Sequence, residues 1–122
     1  MRVRTGEPAN PLQQGLLDDP RLLETIRRLV AGLGPERIVL FGSLARGEVH
    51  EDTDADLLVV QRTQADRIER GWKVQGVLGR DRPMAADVIV LTPEEWESAL
   101  ADGDPILREI EEEGVTVYER PR

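Results

Sequence analysis

The chain contains no cysteine, a single lysine (Lys73), a single histidine (His50) and only four aromatic residues: Phe41, Trp72, Trp96 and Tyr118. Without thiols there are no disulfides, thiolate metal centres or cysteine nucleophiles. Four scattered aromatics cannot form a base-stacking platform for single-stranded nucleic acid. Bases are outnumbered, 16 against 24 acids for a net charge of -8, which disfavours binding along a phosphate backbone. No stretch approaches the ~20 apolar residues of a membrane span, and residues 1–10 carry Arg2, Arg4, Glu7 and Pro8 rather than an apolar leader. Together these absences predict a cytoplasmic protein that touches neither membrane nor nucleic acid directly. Any nucleotide chemistry is expected to involve a mononucleotide and a metal that neutralises it.

What remains is one domain's worth of chain: 122 residues, 39% of them hydrophobic. Gly6, Pro8, Pro11 and Gly15 mark residues 1–17 as an N-terminal tail, leaving 18–120 as the folded domain. Asp18, Asp19 and Pro20 form a helix start, followed by Leu22, Leu23, Ile26, Leu29, Val30 and Leu33 at helical spacing and a stop at Gly34-Pro35. Three short β-branched runs, Arg37 to Phe41, Asp56 to Val60 and Asp87 to Leu91, read as strands. Thr63 to about Arg80 reads as a helix between the last two, with Ile68 and Trp72 one turn apart and Glu69 paired to Lys73. Thr92-Pro93-Glu94-Glu95 is a capping box, Asp104-Pro105 starts a last helix that stops at Gly114, and Val115 to Tyr118 closes the chain as a strand. The fold class is α/β (α+β), a mixed sheet with helices packed on it.

Three segments carry chemistry. Phe41-Gly42-Ser43-Leu44-Ala45-Arg46-Gly47 follows the first strand. A glycine there lets backbone approach an anion, Ser43 adds a hydroxyl, and Arg46 offers a fork to phosphate oxygens; a plain tight turn would need the same glycine. Asp54 and Asp56, two apart at the opening of a strand, point to one side and call for a counter-charge, either a hard divalent cation or the solvent of an acidic loop. Asp87 heads an apolar run, where a carboxylate needs either a metal or an edge position. The combined spacing, Gly-Ser, ten residues, Asp-x-Asp, arises by accident in about one chain of this length in a thousand. The turn follows the end of strand one while the acids open strands two and three, so all converge only if strand one runs opposite to the others. The intervening helix is then the crossover of a parallel pair.

With these markers the chain resembles the minimal nucleotidyltransferases of the DNA polymerase β superfamily, the MNT family, antitoxin partners of HEPN-domain proteins. The likeness runs from about Leu22 to Tyr118 and rests on Gly42-Ser43, Gly47, Asp54-x-Asp56, Asp87 and the Glu113 to Tyr118 ending. Leu44 replaces a basic residue of many relatives, and Thr53 a serine. The resemblance implies a nucleotidyltransferase fold and transfer of a nucleoside monophosphate, AMP from ATP, to an acceptor hydroxyl. It implies two magnesium ions on Asp54, Asp56 and Asp87, which are thus both catalytic and metal-binding, with Gly42, Ser43 and Arg46 holding the triphosphate. The implied acceptor is a tyrosine of a partner HEPN toxin, since the chain has no room for a domain that binds a small acceptor. The alternative is a non-catalytic or nucleotide-binding module that neutralises its partner by covering it; pairing or oligomerisation would bury further apolar surface. Of the remaining residues, His50 is expected to be solvated and Glu109 to Glu113 to form a solvated helix face. Arg67 and Arg70 are expected to share an exposed ion-paired side with Asp66 and Glu69, and Trp72 and Trp96 to anchor the core.

Overall fold

A computed structural model describes residues 19–48 and 54–121. The tail, His50 and Thr53 lie outside the described residues. The elements are α1 (Pro20–Leu33), β1 (Arg37–Phe41), α2 (Gly42–Ala45), β2 (Ala55–Val60), α3 (Arg67–Leu78), β3 (Ala86–Leu91), α4 (Pro93–Ala101), α5 (Pro105–Glu113) and β4 (Val115–Glu119). This is the order read from the sequence, with one helical turn, α2, where a turn was expected.

The local signals act as their chemistry dictates. The Asp19 carboxylate accepts from Arg21 N at the start of α1, and Gly34 ends that helix in the left-handed conformation, φ 59°, returning its N–H to Val30 O. The Thr92 hydroxyl and Glu95 carboxylate cap each other's backbone at α4, and Asp104 caps α5.

The four strands lie in the order β3-β2-β1-β4. β1 runs antiparallel to both neighbours, and β2 and β3 are parallel through the α3 crossover. The antiparallel first strand that convergence of the chemical residues demanded is present. Strand alternation then divides the core. On one face Ile38, Leu40, Leu57, Val59 and Val117 pack with Leu22, Ile26 and Leu29 of α1 and Val74 and Leu78 of α3. On the other, Val39, Leu58, Val60 and Leu91 pack with Leu107 and Ile110 of α5, and with Trp96 and Leu100 of α4. β2 is buried on both faces, whereas β3 is an edge strand in which Asp87 and Ile89 are exposed. Asp87 thus has the edge position that one of the two explanations called for, and its carboxylate is open to solvent.

Two expectations about α3 are overturned. Trp72 is 74% exposed and Ile68 68%, so neither anchors the core; the buried stripe of α3 is Arg70, Val74 and Leu78, another side of the same helix. Arg70, expected on an exposed side, is only 9% exposed. Its guanidinium donates to Ala65 O (2.8 Å), Val90 O (3.3 Å) and Glu95 Oε1 (2.7 Å), joining α3 to the edge strand and to the cap of α4. A buried cation is tolerable only when its donors are satisfied in this way. Trp96 is half-buried as expected, with the Arg37 guanidinium 5.3 Å from its ring centre. Asp66 caps α3 through Glu69 N instead of pairing with an arginine. Among the described residues no helix is long and apolar enough to cross a membrane.

Candidate active site

The end of β1 and the beginnings of β2 and β3 meet at one end of the sheet. Phe41 stands opposite Asp56, and Asp56 stands opposite Asp87. Residues in register across a sheet share a face, so the Asp56 and Asp87 carboxylates are direct neighbours. Asp54 lies two residues ahead of Asp56, exposed, just before β2.

Gly42 follows the residue paired with Asp56, and two features make glycine the residue that fits there. Its φ is +74°, a conformation that side chains rarely adopt, and a Cβ at this position would overlap Asp56 Oδ2 and lie 3.1 Å from Asp56 Cγ. The missing side chain leaves space for the carboxylate. Ser43 comes next in the half-buried turn, Leu44 and Ala45 are buried beneath it, and the Gly42 and Ser43 carbonyls accept from Arg46 N at 3.2 and 3.1 Å. Arg46 is thereby brought round to the open side.

The electrostatics follow from this geometry. The Asp56 carboxyl titrates above the usual aspartate range, first because it is partly desolvated and then because Asp87 and Asp54 add negative charge; Arg46 opposes them. Like charges crowd one point, and the nearby arginine is engaged elsewhere. Its guanidinium contacts Glu48 (3.4 Å) and, on α5, Glu109 (3.5 Å) and Glu113 (3.8 Å). The run Glu109 to Glu113, expected as a solvated face, thus contributes two residues to the rim of the site.

The site residues foreseen from sequence therefore fall into two sets. Gly42, Asp56 and Asp87 are brought together by strand register, with Asp54 and Arg46 near enough to act on Asp56 by charge. Glu109 and Glu113 were missed; the usable signal was their four-residue spacing on a helix leading directly into β4, which pairs with β1.

The donors suit a hard divalent cation: carboxylate oxygens from neighbouring strands, with a glycine cradle behind them and a charge excess at Asp56. Among the described residues no group of three His, Asp or Glu side chains is gathered closely enough to hold a metal ion as the side chains stand. The fit is one of donor chemistry and placement in the sheet, not of a preformed cage.

The model of the nucleotidyltransferase domain matches residues 20–117, which spans every element up to the middle of β4. The chain belongs to the nucleotidyltransferase domain family. Solved structures share the fold of this family member. A candidate nucleotidyltransferase from Sulfolobus solfataricus is similar at 23% identity and a TM-score of 0.58, over 95% of this chain and 91% of that one. A toxin–antitoxin structure with AMP-PNP is similar at 20% identity and a TM-score of 0.54, over 84% of this chain and 74% of that one. No curated protein matches the chain at a significant level.

Proposed function

We propose that this protein is a magnesium-dependent nucleotidyltransferase that moves AMP from ATP to a hydroxyl of a protein partner, a HEPN-domain toxin, and so acts as its antitoxin. The observation that carries the reading is the strand register that sets Asp56 between the Phe41-Gly42 turn and Asp87. Membership of the nucleotidyltransferase family and the likeness to a toxin–antitoxin structure holding a nucleotide analogue support it.

In this reading Asp54, Asp56 and Asp87 hold two magnesium ions. Bound there, magnesium supplies a lowered pKa for the attacking hydroxyl and stabilises charge on the attacking and leaving oxygens. The chain's own groups do the positioning. Gly42 lets the Asp56 carboxylate sit against the turn, the Ser43 hydroxyl donates to a phosphate oxygen, and Arg46 places its fork on the β and γ phosphates. The acceptor oxygen forms a bond to the α phosphorus while the bond from that phosphorus to the bridging oxygen breaks. Pyrophosphate leaves and the hydroxyl proton passes to water.

A second reading, a module that binds nucleotide or partner without turnover, draws on the ion pairs of Arg46 with Glu109 and Glu113 of α5. Label transfer decides between them. ATP labelled at the α phosphate is incubated with magnesium and the purified protein, alone and with lysate of its source cells, beside an Asp54→Ala/Asp56→Ala control. A labelled protein band absent from the control is expected, and its mass identifies the acceptor. A folded protein that still captures its partner but transfers no label would establish the non-catalytic module.

A further inference from the structure

Arg46 lies within one turn of Gly42, yet acids stand at both ends of its fork. Nη2 contacts Glu48, while Nη1 contacts Glu109 and Glu113. A guanidinium presents one planar set of donors, so phosphate oxygens compete with these carboxylates for it.

The three acids differ in what they can do. Glu48 is two residues from Arg46 and can move with it. Glu109 and Glu113 are carried by α5, which is fixed to the sheet: Leu107 and Ile110 are buried against β1 and β2, and Gly114 brings the helix end so close that a Cβ there would lie 2.6 Å from Val39 Cγ1. If Arg46 swings toward the carboxylate end of the sheet, these two acids stay behind. All four side chains of the cluster are between 42% and 56% exposed, so the exchange requires no burial of charge.

We infer that Glu109 and Glu113 form a latch that competes with the nucleotide's phosphates for Arg46, so that nucleotide is held only at the expense of the α5 contacts. The inference rests on the proposed nucleotide site and adds to it two regulatory residues outside the Gly-Ser and Asp-x-Asp signatures. The latch lowers affinity for triphosphate in two ways, by occupying Arg46 and by standing as negative charge where phosphates approach. The first contribution is specific to Arg46 and the second is not, which makes them separable.

Calorimetry of ATP binding with magnesium present, on the full chain, separates them. Glu109→Gln/Glu113→Gln, an exposed and nearly isosteric change, is expected to tighten ATP binding about five- to tenfold, the scale of two exposed ion pairs. Arg46→Gln is expected to weaken it. In the Arg46→Gln background the two glutamine changes are expected to raise affinity by no more than about twofold, the share owed to repulsion, because no arginine is left to release. An equal gain in both backgrounds would overturn the latch in favour of simple repulsion. Weaker binding by the double glutamine variant would overturn it by showing that α5 presents Arg46 to the phosphates. If the unaltered protein binds ATP and the glutamine changes leave that affinity untouched, the latch falls while the nucleotide site stands. If no form binds ATP, the site itself falls and the latch with it.

Discussion

Two clusters of acid and arginine on this molecule titrate in opposite directions. On the outer side of α1, Glu24 accepts from Arg27 at 2.7 Å and from Arg28 at 2.8 Å, and these bonds hold its carboxyl down at about 2. Arg28 reaches further, to Leu78 O and Asp81, and so ties α1 to the end of α3. At the end of the sheet the order is reversed. Asp56 is pushed up by desolvation and by Asp87 and Asp54, while the arginine within range faces the acids of α5. The same residue types are on hand in both places. The first cluster is arranged so that every charge meets its opposite, and the second so that charges of one sign accumulate. Accumulation of that kind destabilises the fold locally, and a cation bound there would relieve it.

The largest expected break in this comparison is functional. Asp87→Asn removes one of the crowded charges at an exposed edge position, and is expected to lower label transfer about 100-fold or more while the protein stays folded. Comparable transfer by the variant would remove Asp87 from the site. Next comes Gly42→Ala, which places a methyl group against Asp56 at a backbone conformation suited to glycine. A loss of about 1–3 kcal/mol of stability is expected in denaturant titration, together with weaker ATP binding.

How far the site could be foreseen depended on whether a residue's role was local. Caps and strands were legible because their causes lie within a few residues: Asp19 before Pro20, Thr92 three residues ahead of Glu95, and Arg37 to Phe41 between turn signals. The convergence of Gly42, Asp56 and Asp87 was legible too, because their placement at strand ends admits only one relative direction of the strands. What was not legible came from packing. Ile68 and Trp72 look like a buried pair by spacing, but α3 is rotated so that Arg70, Val74 and Leu78 face inward, with Arg70 made acceptable by partners on β3 and α4. Arg46 looked free for phosphate because two of its three acidic partners lie more than sixty residues away, on α5.

A smaller effect sharpens the comparison by pH. Because the folded-state pKa of Asp56 is raised, its ionised form works against the fold at any pH above that value. The penalty fades as pH falls through the raised pKa toward the ordinary 3.8. Asp56→Asn is therefore expected to raise stability slightly at pH 7. In thermal melts that gain shrinks as pH approaches 4. Magnesium is expected to stabilise the unaltered protein and not this variant. Glu24→Gln should give the smallest change, with the opposite pH dependence. A depressed carboxyl stabilises the fold above its unfolded pKa of 4.5 and loses that contribution as pH falls through about 2. The variant is therefore expected to melt slightly lower at pH 7, with the difference gone near pH 2, and an unchanged melting temperature at neutral pH would show that solvent screens the pair completely.

The parallel pairing of β2 with β3 also sets when the site comes into being. β1 and β2 are antiparallel neighbours and can pair early, bringing Gly42 beside Asp56. Asp87 joins only after α3 has formed and carried the chain back across the sheet, and α5 with its glutamates is later still in the chain. A chain emerging from N-terminus to C-terminus thus holds the glycine turn and two acids well before the third acid and the guard on Arg46. The chemistry waits for the topology to close, so a ribosome-bound or truncated fragment ending before β3 carries the recognisable Gly-Ser and Asp-x-Asp signature without the strand that completes it.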